Sequence, residues 1–280
     1  MAKRSKFVKP EQREIVSAHV LGSKQISPNF VRVTIGGDGL HAFTPMGFDQ
    51  WFRMFFPGPE QTGFRLPTAT GNLWYAQFKL IPKDVRPALR NYTVSEFRPE
   101  GGVFGEAPEL DIDFTSHGDL GPASAWANSC AAGDPVGLLD EGLVYNPTPD
   151  AGWHLLVGDE SALPAIAGIL RSVDPALRVR VYVEIPHADD IAAARDVPVS
   201  DNVDLNWLVR KSPTARPGAL ALDAITNADF SDLPEGPFYA FVAGESDLAT
   251  GVRRHLVADR HVPKSDIAFT GYWRHGHASY

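Results

Sequence analysis

Arg90-Asn91-Tyr92-Thr93-Val94-Ser95 is the stretch on which the reading of this 280-residue chain turns. It sets a permanent cation, a phenol ring and a hydroxyl side by side. In extended backbone, successive side chains alternate between faces, so Arg90 and Tyr92 share one. Such a set can serve a flavin dinucleotide: the ring lies against isoalloxazine, the hydroxyls reach ring or ribityl atoms, and the guanidinium takes a pair of pyrophosphate oxygens. It equally describes a half-buried strand that opens with an arginine, and alone it does not separate the two.

Toward the N-terminus, short β-branched and aromatic runs alternate with turn formers. Glu14–Leu21 and Phe30–Ile35 predict paired strands across Gly22–Asn29, and Gln50–Phe56 predicts a third, closed by Pro57-Gly58-Pro59. Arg53 stands out there, because a cation among Trp51, Phe52, Met54, Phe55 and Phe56 must snorkel or face a ligand. Gly58–Gly71 reads as an exposed loop and Arg90–Phe97 as the next strand. In Glu109–Thr115, Leu110, Ile112 and Phe114 alternate with Glu109, Asp111, Asp113 and Thr115, which predicts one core face and one wet face. Pro135–Asp140 supplies a last strand. Short strands with little helical periodicity before residue 121 predict a small antiparallel β-barrel.

His117-Gly118-Asp119-Leu120-Gly121-Pro122-Ala123-Ser124 leads into the helix-compatible Ala125–Ala132. Pro122 suits a first helical turn and Gly133 the left-handed residue after the last. Free N–H groups at such a start, beside glycines, receive phosphate. Trp126 either stacks on an adenine or fills core. His117 is either a local hydrogen-bonding residue or a ligand contact.

From Trp153 the pattern changes. His154–Val157, Ser161–Arg171, Val179–Glu184, 189–194, Asp204–Leu208, Ala219–Ile225, Phe238–Ala243, Ser246–Asp259 and Ile267–Gly271 alternate strand and helix, as in a parallel sheet covered on both faces. That is a nucleotide-binding architecture. Gly158 opens a turn into a helix whose N-terminus can face a dinucleotide pyrophosphate, although the G-x-G-x-x-G fingerprint is absent. Glu184 ends the second strand about 20 residues later, where a carboxylate can accept from the 2′-hydroxyl of NADH and repel a 2′-phosphate. It can equally be a structural acid, and Arg178 and Arg180 keep NADPH open. The two expected domains are 1–148 and 149–280.

Composition narrows the function. With 26 Lys and Arg against 34 Asp and Glu, the net charge of -8 disfavours a nucleic-acid binder or an anionic-membrane binder. One cysteine, Cys130, excludes an intrachain disulfide and any thiolate cluster. No apolar leader or membrane-length run is visible, which predicts a cytoplasmic protein without membrane insertion. No serine stands in G-x-S-x-G, and His255, His261, His275 and His277 lack zinc-ligand spacing, so a hydrolase and a metal site are disfavoured. A monomer is the default expectation.

Arg90-Asn91-Tyr92-Thr93, His117-Gly118, Gly121-Pro122-Ala123-Ser124 and Trp126-Ala127 together resemble the FAD-binding pattern of the siderophore-interacting proteins, ferric-siderophore reductases of the ferredoxin-NADP reductase superfamily. Gly158-Asp159-Glu160-Ser161-Ala162-Leu163-Pro164-Ala165-Ile166 and Gly271-Tyr272-Trp273-Arg274-His275-Gly276 are similar to later motifs of that family. The resemblance implies an FAD-binding barrel followed by an NAD(P)H-binding α/β domain. It implies that Arg90, Asn91, Tyr92 and Thr93 hold the flavin, and that His117 and Gly118 line its phosphate or ribityl region. Pro122, Ala123, Ser124 and Trp126 would form the adenine end, with Asp140 or Glu141 near the ribose. Gly158, Asp159, Glu160, Ser161, Glu184, Gly244 and Glu245 would meet the nicotinamide dinucleotide, NADH by the Glu184 argument or NADPH. Arg53 and Arg274 would face an anionic ferric siderophore. The implied activity passes electrons from the dinucleotide through FAD to siderophore-bound iron(III), with no catalytic side chain required. The alternatives are a general flavin reductase serving a ferredoxin-like or other soluble acceptor, and a non-enzymatic siderophore-binding module. The family's usual second arginine after the Thr is Ser95 here, and an arginine usual in its helix is Ala125.

Overall fold

The computed structural model describes residues 5–58, 61–69, 71–115, 121–194, 197, 200–212 and 215–277. The chain divides into two compact units, Lys9–Leu143 and Val144 onward, and the described residues 5–8 belong with the second. Asn146 Nδ2 donates to the Ser5 carbonyl at 2.9 Å, which ties that start in place.

The first unit is a seven-stranded antiparallel sheet: β1 (Ile15–Ser27), β2 (Phe30–Gly36), β3 (Trp51–Phe56), β4 (Ala88–Thr93), β5 (Glu96–Arg98), β6 (Glu109–Thr115) and β7 (Pro135–Gly142). Their order is β4-β3-β7-β1-β2-β6-β5. The edges β4 and β5 are separated only by Val94 and Ser95, so the sheet has to curl until its edges meet. Val94 N donates to the Gln50 carbonyl at 2.9 Å and Ser95 N to that of Asp111 at 3.0 Å. Among the described residues no β4–β5 ladder forms, so the expected barrel is an open, curled sheet whose edges are joined only by this short link. Val33, Ile35, Phe52, Met54, Phe56, Leu110, Ile112 and Phe114 fill its interior, with Trp126 from the helix α2 (Pro122–Ser129).

Three expectations need correction. The first hairpin turns only at Pro28-Asn29, because β1 runs on to Ser27 with register shifts that absorb its polar residues. A helix, α1 (Leu73–Leu80), follows the loop after β3, and its Trp74 and Phe78, one turn apart, pack with Phe55 and Leu139 on the outer face of the barrel. The polar face of β6 is not wet: Glu109, Asp111 and Asp113 are buried beneath Arg98 and Arg32. Arg98 bonds both Glu109 and Asp111, and Arg32 takes Asp113 through two nitrogens at 2.7 and 2.9 Å. Cross-strand arginines supply the partners that water would otherwise give.

The second unit is a five-stranded parallel sheet of β8 (Trp153–Gly158), β9 (Arg178–Ile185), β10 (Val203–Val209), β11 (Phe238–Glu245) and β12 (Ile267–Trp273), in the order β10-β9-β8-β11-β12. The helices are α3 (Leu163–Ser172), α4 (Ala219–Thr226) and α5 (Ser246–Ala258). The expected helix at 189–194 is a tighter 3₁₀ turn, Ala188–Ala194. Strand order reverses between β8 and β11, so the ligand crevice of such a sheet lies outside their carboxyl ends, at Gly158-Asp159 and Gly244-Glu245. Among the described residues no helix is long and apolar enough to cross a membrane.

Candidate functional site

In the first unit the site is built on the edge strand β4. Arg90 lies opposite Met54 and Tyr92 opposite Phe52, so the two share a face as their parity requires. The Tyr92 ring stands 4.3 Å from that of Phe114, and Phe114 stands 5.7 Å from Trp126. Through Phe114 the Arg90–Thr93 motif and α2 come to one side of the barrel. Burial lifts the Tyr92 hydroxyl well above its usual range, and the nearby Arg90 charge offsets part of that rise. Thr93 is buried opposite Trp51, whereas Asn91 is exposed opposite Arg53.

Helix α2 starts at Gly121 with Pro122 in its first turn and has no side-chain cap, since Ser124 Oγ donates to the Thr115 carbonyl at 3.1 Å. Ala123 and Ser124 are half-buried there. An uncapped helix N-terminus suits a phosphate. Trp126 corrects the expectation of an adenine platform. Its ring is 8% exposed and wedged between Phe56 and Phe114, because a bulky side chain in the second turn of so short a helix reaches into the barrel core. Among the described residues its buried Nε1–H has no partner. The donor set of Arg90, Tyr92, the α2 terminus and this orphaned N–H fits a flavin dinucleotide. His117 and Gly118 lie outside the described residues.

Asp140 and Arg53 are more committed than their sequence reading implied. Asp140 accepts from Gln50 Nε2 at 2.7 Å and from Gly142 N at 2.8 Å, one bond on each carboxylate oxygen. Arg53 Nε donates to Glu141 at 2.6 Å, and its guanidinium stands 5.6 and 5.5 Å from the rings of Trp51 and Trp74. Burial opposes the Glu141 charge, but Arg13, Lys9 and Arg53 outweigh it and hold the carboxyl at about 2. Arg53 is thus fixed by an internal ion pair, with 31% of its side chain exposed.

In the second unit the predicted acids meet at the strand ends, but they point inward. Asp159 accepts from Ser161 N, Ser161 Oγ, Glu245 N and Trp273 Nε1 at 2.5 to 3.0 Å, so it ties the ends of β8, β11 and β12 together. Burial, then the Glu160 charge, raise its carboxyl to about 7. Gly244 is required beside it: φ is +127°, and a Cβ there would lie 2.6 Å from the Asp159 carboxyl carbon. Glu160 takes Arg210 through both oxygens, at 2.6 and 2.9 Å. Glu184 is fully buried, accepting from Arg210 at 3.0 Å, Gly218 N at 2.9 Å and Ala221 N at 3.1 Å. Glu184 therefore anchors the start of α4, and the structure removes it as a ribose acceptor. Glu245 caps α5 through Asp247 N and Leu248 N and accepts from His275 N, while Arg274 stays exposed.

Residues 19–144 match the siderophore-interacting FAD-binding domain, and residues 151–276 match the siderophore-interacting protein domain. The chain is 31% identical over 259 residues to the ferric vibriobactin reductase ViuB of Vibrio cholerae, covering 90% of this chain and 87% of that protein. The chain belongs to the siderophore-interacting proteins. A siderophore utilization protein from T. fusca superposes with a TM-score of 0.79 at 28% identity, over 98% of this chain and 97% of that one. The ferredoxin reductase of carbazole 1,9a-dioxygenase, at 14% identity, shares the fold with a TM-score of 0.65, over 98% of this chain and 74% of that one.

For this siderophore-interacting protein the sequence reading missed Arg210, the cation that neutralises two buried acids, and Trp273, which donates to Asp159. An arginine directly after a strand that ends beside acidic strand ends was the available signal for the first. Among the described residues no group of three His, Cys, Asp or Glu could hold a metal ion.

Proposed function

We propose that this protein is an FAD-dependent ferric-siderophore reductase of the cytoplasm, which draws electrons from NADH or NADPH and releases iron from its chelate. The observation that carries the reading is the similarity to ferric vibriobactin reductase across both units, joined to a motif and helix whose donors fit FAD. Bound FAD supplies the redox chemistry, accepting a hydride and giving up electrons singly. The chain's own residues bind and orient. Arg90 and the first turn of α2 would take the phosphates, and Tyr92, Thr93 and Trp126 Nε1 would contribute further contacts to the flavin. Gly158 and Gly244 allow the close internal packing that shapes the strand ends at the dinucleotide crevice. Arg274 is the exposed cation offered to an anionic chelate, whereas Arg53 contributes from within its ion pair. With Glu184 internal, neither dinucleotide is selected by a carboxylate at that strand end.

Anaerobic stopped-flow tests this reading. NADH or NADPH should bleach the flavin absorbance, and a ferric siderophore should restore it with release of iron(II) to a trap. Flavin that neither dinucleotide bleaches, and that ferric siderophore does not reoxidise after dithionite reduction, would overturn it.

A further inference from the structure

A second concentration of charge lies on the outer face of the barrel, where β1, β7 and β3 run side by side. Lys9 Nζ, Arg13 Nη2 and Arg53 Nε converge on the Glu141 carboxylate at 2.8, 2.6 and 2.6 Å. Three cations on one carboxylate leave two positive charges, on a chain whose net charge is -8. The neighbouring Asp140 does not cancel them by contact, since its oxygens face Gln50 and Gly142. Among the described residues, two buried donors in the same cluster, Arg13 Nε and Trp51 Nε1, have no acceptor. A buried N–H left unpaired costs about 1–3 kcal/mol, so an acceptor that reaches it is favoured.

Beside Arg13 opens a cavity of about 320 Å³. Its walls combine apolar surface from Leu66, Leu139 and Trp74 with the polar side chains of Arg13, Ser17 and Thr68. Glu14, exposed at the same cavity, is the one acid that faces an incoming anion there. Trp74 is held edge-on against Phe55 at 5.8 Å and by the Arg53 guanidinium, so its position is set before anything binds. The volume is at the small end of ligand pockets, enough for one or two fused rings.

We propose that this cavity binds a small planar aromatic carboxylate, its carboxylate taken by Arg13 and its ring laid against Trp74, Leu66 and Leu139. The carboxylate supplies part of the negative charge that the cluster lacks. A guanidinium matches carboxylate geometry, and flat apolar walls favour a ring over a hydrated anion. A multiply charged phosphate is disfavoured by Glu14 and by the apolar walls. The site uses none of the residues assigned to FAD or to the dinucleotide, so it stands or fails separately from the proposed reductase activity.

The probes are 2-naphthoate and its neutral counterpart 2-naphthamide, titrated calorimetrically into the full FAD-loaded chain. Naphthoate should bind at one site at least tenfold tighter than naphthamide, with no change in the flavin spectrum. Arg13→Gln should weaken naphthoate about tenfold and leave naphthamide within twofold, Arg13→Lys should restore part of the loss, and Ser17→Phe should block both. If Arg13→Gln does not fold, Arg13→Lys and Ser17→Phe carry the test, with FAD content and melting temperature as checks. Equal affinity for acid and amide, indifference to the foldable variants, or no saturable binding would overturn the assignment.

Discussion

Replacing Arg210 by methionine should unfold the second unit selectively. Arg210 meets Glu160 at 2.6 and 2.9 Å and Glu184 at 3.0 Å, and both glutamates are 0% exposed. The methionine fills much of the same space, so the lost quantity is charge compensation and not volume. Removing one partner of a buried ion pair costs about 3–5 kcal/mol, and here two carboxylates lose the same cation. Against a domain stability of about 5–15 kcal/mol, that is at least a fifth of the total. Burial already lifts Glu160 above its usual range with Arg210 present, so without it protonation of Glu160 is the cheapest relief. The folded pKa then lies above the unfolded one, and the variant gains stability as pH falls from 8 to 5. Urea unfolding of the holoprotein at both pH values, with flavin absorbance reporting the first unit and far-UV dichroism both, measures the effect. A loss below about 1 kcal/mol at pH 8, as an exposed pair would give, or a loss that does not shrink at pH 5, would refute the argument.

Arg90→Ala is expected to abolish FAD retention while the apoprotein melts within a few degrees of wild type, and a fully occupied yellow variant would contradict the flavin assignment. Glu141, held at about 2 against an ordinary 4.5, contributes about 3 kcal/mol that is complete above pH 4.5 and lost as pH falls toward 2. Its side chain is 3% exposed, so solvent screens little of this, and Glu141→Gln should flatten the acid limb of a pH–stability curve for the first unit.

What the sequence made legible was what alternation and motif order determine directly. Strand runs such as Phe30–Ile35 and Trp51–Phe56 came out within a residue or two, because β-branched and aromatic patterning and Pro57-Gly58 mark them locally. Helix α1 was missed because its apolar residues face two ways: Trp74 and Phe78 are buried, while Leu73 and Leu80 are 71% and 83% exposed, and so no single stripe appears. The acids of β6 looked solvated since their partners, Arg32 and Arg98, arrive from β2 and β5 through pairings that no local window displays. Glu184 failed for the same reason. Its position at a strand end was read correctly, but its partners Arg210, Gly218 and Ala221 are 26 to 37 residues away. Trp126 shows the converse, a residue whose two readings could be separated only by the rings that surround it.

The inward-turned acids also constrain how the second unit can accept a dinucleotide. Asp159, Glu160, Glu184 and Glu245 stand near the crevice, where Glu160 and Glu184 share the one cation Arg210 among the described ion pairs, so a pyrophosphate brought to Gly158 and Gly244 adds negative charge to an acidic cluster. Asp159 is the group able to respond, since its carboxyl already sits at about 7. A nearby anion raises it further. Binding at the proposed crevice must then take up a proton, and affinity must fall as pH rises through 7, by at most tenfold per pH unit. Calorimetry in two buffers of different ionisation enthalpy reads the proton directly, and Asp159→Asn should remove both the uptake and the pH dependence. Proton release, or affinity indifferent to pH between 6 and 8, would mean that the phosphates settle away from this cluster and that the backbone at Gly158 is not their cradle.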